Sequence, residues 1–286
     1  MTLYQEVRAA MRESGFRPKK RFGQNFLIHE NVIESILRLL DLDGNDGVVE
    51  IGPGLGFLTR SLIQRAGQVW SVEVDNALAQ WLRQSGWALE PRHRLIHGDI
   101  LTVPLAQILP SRKIKLVGNL PYSISTPVMF RIFDWHAHFS RLVLMVQKEV
   151  ADRITSMPGT KDYGTLAVWC QVYGRVTEKI SVSPQAFFPR PKVRSTVLKI
   201  ELYDPPLIAD AGLVPLRGLV RAAFGQRRKT LRNTLTGWLE LPRVEIDQLL
   251  LSCGIDPERR GETLSVDEFI KLAGRMSPSS FPATDN

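Results

Sequence analysis

The sequence predicts an α/β protein: a doubly wound sheet followed by a small all-helical C-terminal domain. Three observations predict it. Val48-Val49-Glu50-Ile51, the turn Gly52-Pro53-Gly54-Leu55-Gly56 and the helical stretch 57–63 form a β-branched strand, a glycine turn and a helix, the first unit of such a fold. A second strand, residues 68–75, ends in acid. Beyond Tyr203-Asp204-Pro205-Pro206, read as a linker, the apolar spacing turns helical over 213–224, 229–239, 244–253 and 266–273, punctuated by Gly254, Pro257 and Gly261.

With 286 residues the chain is long enough for one large and one small domain, and a net charge of +8 with a pI near 9.7 suits a polyanionic partner. The boundaries expected are 1–204 for the larger domain, with 1–20 as a flexible basic arm, 205–275 for the helical domain and 276–286 as a disordered tail.

At the N-terminus Arg17, Lys19, Lys20 and Arg21 form either an arm that orders over a ligand or a basic leader, and the adjoining Gln24-Asn25-Phe26-Leu27 favours the arm. There is no apolar signal core, Glu6 and Glu13 do not fit a transit peptide, and no run is long enough to span a bilayer, so the expected location is the cytoplasm and the expected membrane contact none. The glycine turn lets a ligand approach the backbone closely. Its spacing is Gly-x-Gly-x-Gly, however, and Phe57 stands where a dinucleotide fingerprint needs its last glycine, which disfavours a pyrophosphate cradle.

A carboxylate at the end of the strand 68–75, roughly 20 residues beyond the glycines, is placed to accept hydrogen bonds from ribose hydroxyls. Glu73 is the first choice and Asp75 the fallback, although either could simply cap the next helix. The third strand-like run, Arg94-Leu95-Ile96, leads into His97-Gly98-Asp99-Ile100. There Asp99 could accept from an adenine amine or close an Asx-turn.

The run 114–117 ends in Asn119-Leu120-Pro121-Tyr122. An Asn carbonyl and a neighbouring backbone carbonyl can each accept one hydrogen of an exocyclic amine, proline fixes the turn, and tyrosine offers a stacking face. A strand ending in an ordinary turn is the alternative. Further on, 142–146 reads as a buried strand, 147–154 as a charged helix start without catalytic role, and the alternating 195–202 as an antiparallel edge partner of 142–146.

Other residues carry less. Cys170 and Cys253 are read as small core residues, His136 and His138 as exposed loop histidines, and Trp169 and Trp238 as core; no metal site is indicated. Arg217, Arg221, Arg227, Arg228, Lys229 and Arg232 share a window without an acid, and Arg190, Lys192 and Arg194 form another basic group. Either a phosphate-binding surface or a solvated face accounts for them.

Taken in order, Val49-Glu50-Ile51-Gly52-Pro53-Gly54, Glu73, Gly98-Asp99 and Asn119-Leu120-Pro121-Tyr122 resemble the motifs of class I S-adenosylmethionine methyltransferases. The segments 19–27, 188–195 and 224–233 are similar to those of small-subunit ribosomal RNA adenine dimethyltransferases of the KsgA/RsmA type. The likeness runs from about Arg17 to about Ala273. It implies a Rossmann-like class I methyltransferase sheet with S-adenosyl-L-methionine as cofactor. It further implies that Gln24, Asn25 and Leu27 close over that cofactor, Gly52 passes beneath its methionine end, Glu73 holds the ribose, and Asp99 with Ile100 holds the adenine. Asn119, which also borders the cofactor, would receive the target base together with Leu120 and Tyr122. Arg227, Arg228, Lys229 and Arg232 would contact RNA. The partners implied are small-subunit ribosomal RNA and the immature 30S particle. No obligate protein partner is expected, and a monomer is expected because nothing in the sequence demands a dimer. A DNA adenine methyltransferase and a non-catalytic assembly factor on the same fold are the alternatives.

Overall fold

Val48, Val49, Glu50 and Ile51 are all buried, and a strand with no polar side demands a sheet covered on both faces. The computed structural model, which describes residues 2–19, 22–121, 124–226 and 228–276, contains that sheet. Among these residues the chain runs α1 (Leu3–Ser14), β1 (Phe26–Leu27), α2 (Glu30–Leu40), β2 (Gly47–Ile51), α3 (Phe57–Arg65), β3 (Gln68–Glu73), α4 (Asn76–Gln84) and β4 (His93–His97). It continues through β5 (Ile114–Asn119), α5 (Ser125–Asp134), β6 (Phe139–Gln147), α6 (Lys148–Ile154), α7 (Thr165–Tyr173), β7 (Gly174–Val182), β8 (Phe187–Phe188) and β9 (Ser195–Leu202). The last helices are α8 (Asp210–Gly225), α9 (Leu231–Leu239), α10 (Arg243–Ser252) and α11 (Val266–Ala273).

Contacts divide the chain into two units, 1–151 with 175–204, and 152–174 with 205–286. In the first, the strand order is β4-β3-β2-β5-β6-β9-β7. The pairs from β4 to β6 are parallel, and the order reverses between β2 and β5, the crevice where ligands bind in open α/β sheets. β6 pairs with β9 antiparallel, from Arg141↔Glu201 to Gln147↔Ser195, as the alternation of 195–202 predicts. β9 is not the edge, however, because β7 lies outside it. Thr177, Glu178 and Lys179 in β7 interrupt any apolar pattern, as expected of an outermost strand that is largely solvated.

Residues 3–14, expected as part of a flexible arm, instead form a helix. Leu3, Val7, Ala10 and Met11 recur at helical spacing, Thr2 and Gln5 form a capping box, and α1 buries Val7 and Ala10 in a cluster with Phe16, Phe26, Leu55 and Leu78. Glu6 is paired with Arg60 at 2.8 Å. α2 buries Ile33, Ile36, Leu37, Leu39 and Leu40.

The second unit is helical, and it takes in residues 152–174, which a single boundary after Asp204 would assign elsewhere. The reason is that α7 is apolar nearly all round: Leu166, Ala167, Val168, Trp169, Cys170, Val172 and Tyr173 are buried. Tyr163, fully buried, donates its hydroxyl to the Leu264 carbonyl at 2.9 Å, and Arg259 pairs with Glu268 beside the capping box of α11. Cys170 and Cys253 are buried and unbridged, in keeping with core roles.

Candidate active site

The carboxyl ends of β2, β3, β4 and β5 open into one cleft of about 710 Å³ within the first unit. Its wall includes Gln24, Asn25, Gly52, Glu73, Asp99, Ile100, Asn119 and Leu120, so residues from five separated segments converge. Phe22, Gly23, Val74 and Ile124, to which the sequence assigns no role, also line it.

Gly52 donates its N–H to the Val72 carbonyl at 2.9 Å with φ at 70°, where an L side chain is strained. A Cβ built there meets nothing within 4 Å, so glycine leaves the turn open to a ligand. Gly56 serves a different end. It caps α3 at φ 82°, and a Cβ would come within 2.3 Å of Trp87. The last glycine therefore permits close packing at the helix start rather than a phosphate contact.

Glu73 ends β3 and is 4% exposed. Its Oε1 accepts from the Asp75 N–H at 2.9 Å and its Oε2 from the Gly54 N–H at 3.2 Å, which aims the carboxylate across the glycine turn. Burial, with the Asp75 charge beside it, pushes its carboxyl up to about 7 against the pull of these backbone bonds. Asp75 does the capping instead, accepting from the Ala77 N–H at 3.0 Å, and also receives Lys19 Nζ at 2.7 Å and Gln24 Nε2 at 2.8 Å. Burial raises the Asp75 pKa, but the donors Lys19, Gln24 and Ala77 outweigh it and hold the group below its ordinary value.

Gly98 ties β4 to β3 by donating to the Glu73 carbonyl at 2.9 Å. Asp99, exposed, accepts from the Leu101 N–H at 2.9 Å through Oδ1, so it does close an Asx-turn, and Oδ2 is without a partner among the described residues. Both readings of Asp99 are therefore compatible. Ile100, next to it, is buried against the cleft.

Asn119 lies in register with Met145 at the end of β5, and the Leu120 N–H donates to the Met145 carbonyl at 3.0 Å. Pro121 accepts from the Ile124 N–H at 3.1 Å and from the buried Ser125 hydroxyl at 3.0 Å, which locks the turn. Asn119 Nδ2 donates to the Asn25 carbonyl at 3.0 Å. That bond fixes the amide with its oxygen toward the cleft wall, an acceptor without a partner among the described residues.

Not every assigned residue lies in this cleft. Leu27 lines a neighbouring pocket that shares Asn25, Ile51, Gly52, Gly54 and Asn119 with the first. Gln24 lines the cleft, but its amide is engaged at both ends, by the Lys19 N–H at 2.7 Å and by Asp75. Tyr122, Arg227, Lys20 and Arg21 lie outside the described residues. Arg228, Lys229, Arg190, Lys192 and Arg194 are exposed. Arg232 is not a free cation. Folding brings Asp247 to its Nε at 2.5 Å and Glu258 to its Nη1, acids that lie well outside the basic window 217–232.

Sequence reasoning also passed over Glu50. It is 2% exposed and accepts from Thr59 Oγ1 at 2.7 Å and Ser71 Oγ at 2.8 Å, with His93 Nε2 3.1 Å from the same hydroxyl. Burial, with Glu73 nearby, pushes its carboxyl up to about 7. The available signal was a lone acid inside an apolar strand. Among the described residues no three His, Cys, Asp or Glu side chains gather as a metal site, and no helix is long and apolar enough to cross a membrane.

The donor set fits a nucleoside sulfonium: a buried carboxylate for ribose hydroxyls, an open glycine turn, an exposed Asp oxygen with the apolar Val74 and Ile100 for a base, and no cradle for a pyrophosphate. A family model described as "Ribosomal RNA adenine dimethylase" matches residues 15–277. The chain belongs to the ribosomal RNA adenine dimethylase family. It is an S-adenosylmethionine-dependent methyltransferase acting on adenine of ribosomal RNA, and its seven-stranded sheet is the class I methyltransferase sheet. The chain is 44% identical over 270 residues to the "Ribosomal RNA small subunit methyltransferase A" of Geobacter metallireducens, covering 93% of this chain and 98% of that one. Among solved structures it resembles the 23S rRNA methyltransferase ErmE, at 26% identity and TM-score 0.66 over 88% of this chain and 99% of that one. A dimethyladenosine transferase from Plasmodium falciparum shares the fold, with TM-score 0.74 at 23% identity over 85% of this chain and 94% of that one.

Proposed function

We propose that this enzyme dimethylates two adjacent adenines in the 3′-terminal hairpin loop of small-subunit ribosomal RNA, on the immature 30S particle, as a cytoplasmic monomer. The orientation of the Asn119 amide carries the reading: with Nδ2 held by Asn25, its oxygen is presented in the wall shared with Gly52 and Glu73. The name of the Geobacter relative supports the small subunit as the source of the RNA. Residues 1–151 with 175–204 form the catalytic part in this reading, and the helical unit, with Arg228 and Lys229 exposed, the part that meets RNA.

S-adenosylmethionine supplies a methyl group on a sulfonium that is already an excellent leaving group. No strong base is then needed in the cleft. Glu73 holds the ribose, Asp99 and Ile100 the adenine of the donor, and the backbone at Gly52 the methionine end. Asn119 Oδ1 and the Leu120 carbonyl each accept one hydrogen of the target amine, which favours a tetrahedral nitrogen and directs its lone pair across the cleft. Tyr122 holds the extruded base by stacking, worth ~1–3 kcal/mol by analogy with other aromatic–base contacts. The transfer breaks the donor's S–CH3 bond, releasing a neutral thioether, and the methylated nitrogen sheds one proton to solvent. One hydrogen remains, so with a fresh donor a second methyl can follow.

Transfer from labelled donor to immature 30S particles, mature 50S particles, protein-free small-subunit RNA and duplex DNA tests the substrate. The expected result is two labelled methyls on each of two neighbouring adenines in the 30S arm. Label confined to 50S particles or DNA would overturn the proposal.

A further inference from the structure

Asp75 is 1% exposed, yet it belongs to neither the donor grip nor the base grip. Four contacts meet on it. Oδ1 accepts from Lys19 Nζ at 2.7 Å and from the Ala77 N–H at 3.0 Å, Oδ2 accepts from Gln24 Nε2 at 2.8 Å, and the backbone N–H donates to Glu73 Oε1 at 2.9 Å. Gln24 cannot flip, because its oxygen accepts from the Lys19 N–H at 2.7 Å. The next residue, Asn25, supplies the carbonyl that holds Asn119 Nδ2 at 3.0 Å. A single buried carboxylate is thus linked on one side to the acid at the ribose position and on the other to the amide at the base position.

We infer that Asp75 is a positioning residue for methyl transfer, setting the Glu73 carboxylate through its own N–H and the Asn119 amide through Gln24 and Asn25. The inference rests on the roles read above for Glu73 and Asn119. Chemistry demands Asp at this position. Three donors converge on the side chain, and only a carboxylate turns an acceptor to each. Asparagine is an equally good helix cap, so Asp75→Asn keeps the bond to Ala77 while setting an NH2 against the NH2 of Gln24. Adding Gln24→Glu restores complementarity with the roles exchanged, since the new carboxylate accepts both from the new amide and from the Lys19 N–H.

The test compares Asp75→Asn, Gln24→Met and the double variant Asp75→Asn/Gln24→Glu in the full chain. Three readouts are used: methyl transfer to 30S particles, calorimetric binding of S-adenosyl-L-homocysteine, and amide hydrogen exchange of residues 22–27 in the free protein. Each single variant is expected to lose about tenfold in kcat/KM and to gain about tenfold in exchange, the scale of one hydrogen bond to a charged group, and Asp75→Asn also to bind S-adenosyl-L-homocysteine several-fold more weakly. The double variant is expected to recover most of each loss. A role confined to capping α4 predicts wild-type values for all variants, and that result would overturn the inference, as would a double variant no better than either single one. Gln24→Met leaves Asp75 intact, so it remains decisive should Asp75→Asn fold poorly. Raised exchange with wild-type binding and transfer would also overturn the positioning role. Normal transfer by Asn119→Ala would instead show that the underlying reading of the base grip had failed.

Discussion

Replacing Glu73 by glutamine keeps the shape of the side chain and removes one acceptor. The wild-type carboxylate serves two backbone donors, Asp75 N–H at 2.9 Å and Gly54 N–H at 3.2 Å, one on each oxygen. An amide can satisfy one of them and must turn its NH2 toward the other, so the side chain is displaced from the turn. Hydrogen bonds to a charged acceptor contribute ~1.5–3 kcal/mol against ~0.5–1.5 for a neutral one, so two ribose hydroxyls lose at least about 2 kcal/mol together. That corresponds to roughly 30-fold weaker binding. Calorimetric titration with S-adenosyl-L-homocysteine at pH 8 measures it. The wild-type affinity should also fall about tenfold between pH 8 and pH 6, because a carboxyl at about 7 is largely protonated at the lower pH, while Glu73→Gln should show little of that dependence. A change of less than twofold at pH 8, or an undiminished pH dependence in the variant, would refute the ribose assignment.

Gly52→Ala should cost about 1–2 kcal/mol of stability, because the residue sits at φ 70°, and should weaken donor binding further, since the added methyl projects where nothing lies within 4 Å; thermal melts and calorimetry separate the two effects. Glu50, held at about 7 by burial, binds a proton in the folded state between about pH 4.5 and 7 that the unfolded chain has released. Stability from this group therefore falls as pH rises through that window, and Glu50→Gln, whose single oxygen still serves Thr59 and Ser71, should unfold at higher urea than wild type at pH 8 and show a flatter pH profile. Arg228→Ala with Lys229→Ala should leave the melting temperature unchanged and lower the salt slope of RNA binding by about one per charge. Arg232→Ala should do the reverse, lowering the melting temperature while sparing the slope, because Asp247 and Glu258 already hold it.

The cleft was legible wherever function rides on strand ends. A β-branched run followed by glycines, an acid closing the next strand and Asn-Leu-Pro after a third run each fix a residue at the carboxyl edge of a parallel sheet, and parallel pairing brings those edges together. The sequence favours Glu73 over Asp75 for the ribose position but does not tell which of them caps the next helix, because alternation gives both a place near the strand end; the cap geometry assigns that role to Asp75. Contacts from distant segments were equally hidden. Nothing local in Gln24 reveals that Asp75, 51 positions away, takes its amide, and nothing in 217–232 announces the acids that reach Arg232. β7 escaped because an outermost strand needs little apolar pattern, and α7 went unassigned because a helix buried on all sides has no amphipathic period to detect.

The central claim is that one crevice holds donor and target base by separate polar grips, with Asn119 serving the base. Single-turnover methyl transfer to 30S particles by Asn119→Ala, beside calorimetric binding of S-adenosyl-L-homocysteine to the same protein, addresses it directly. The account predicts transfer reduced by at least about 100-fold, the scale of losing one preorganised polar contact in a transition state, with ligand affinity within about threefold of wild type. Transfer at the wild-type rate would contradict it.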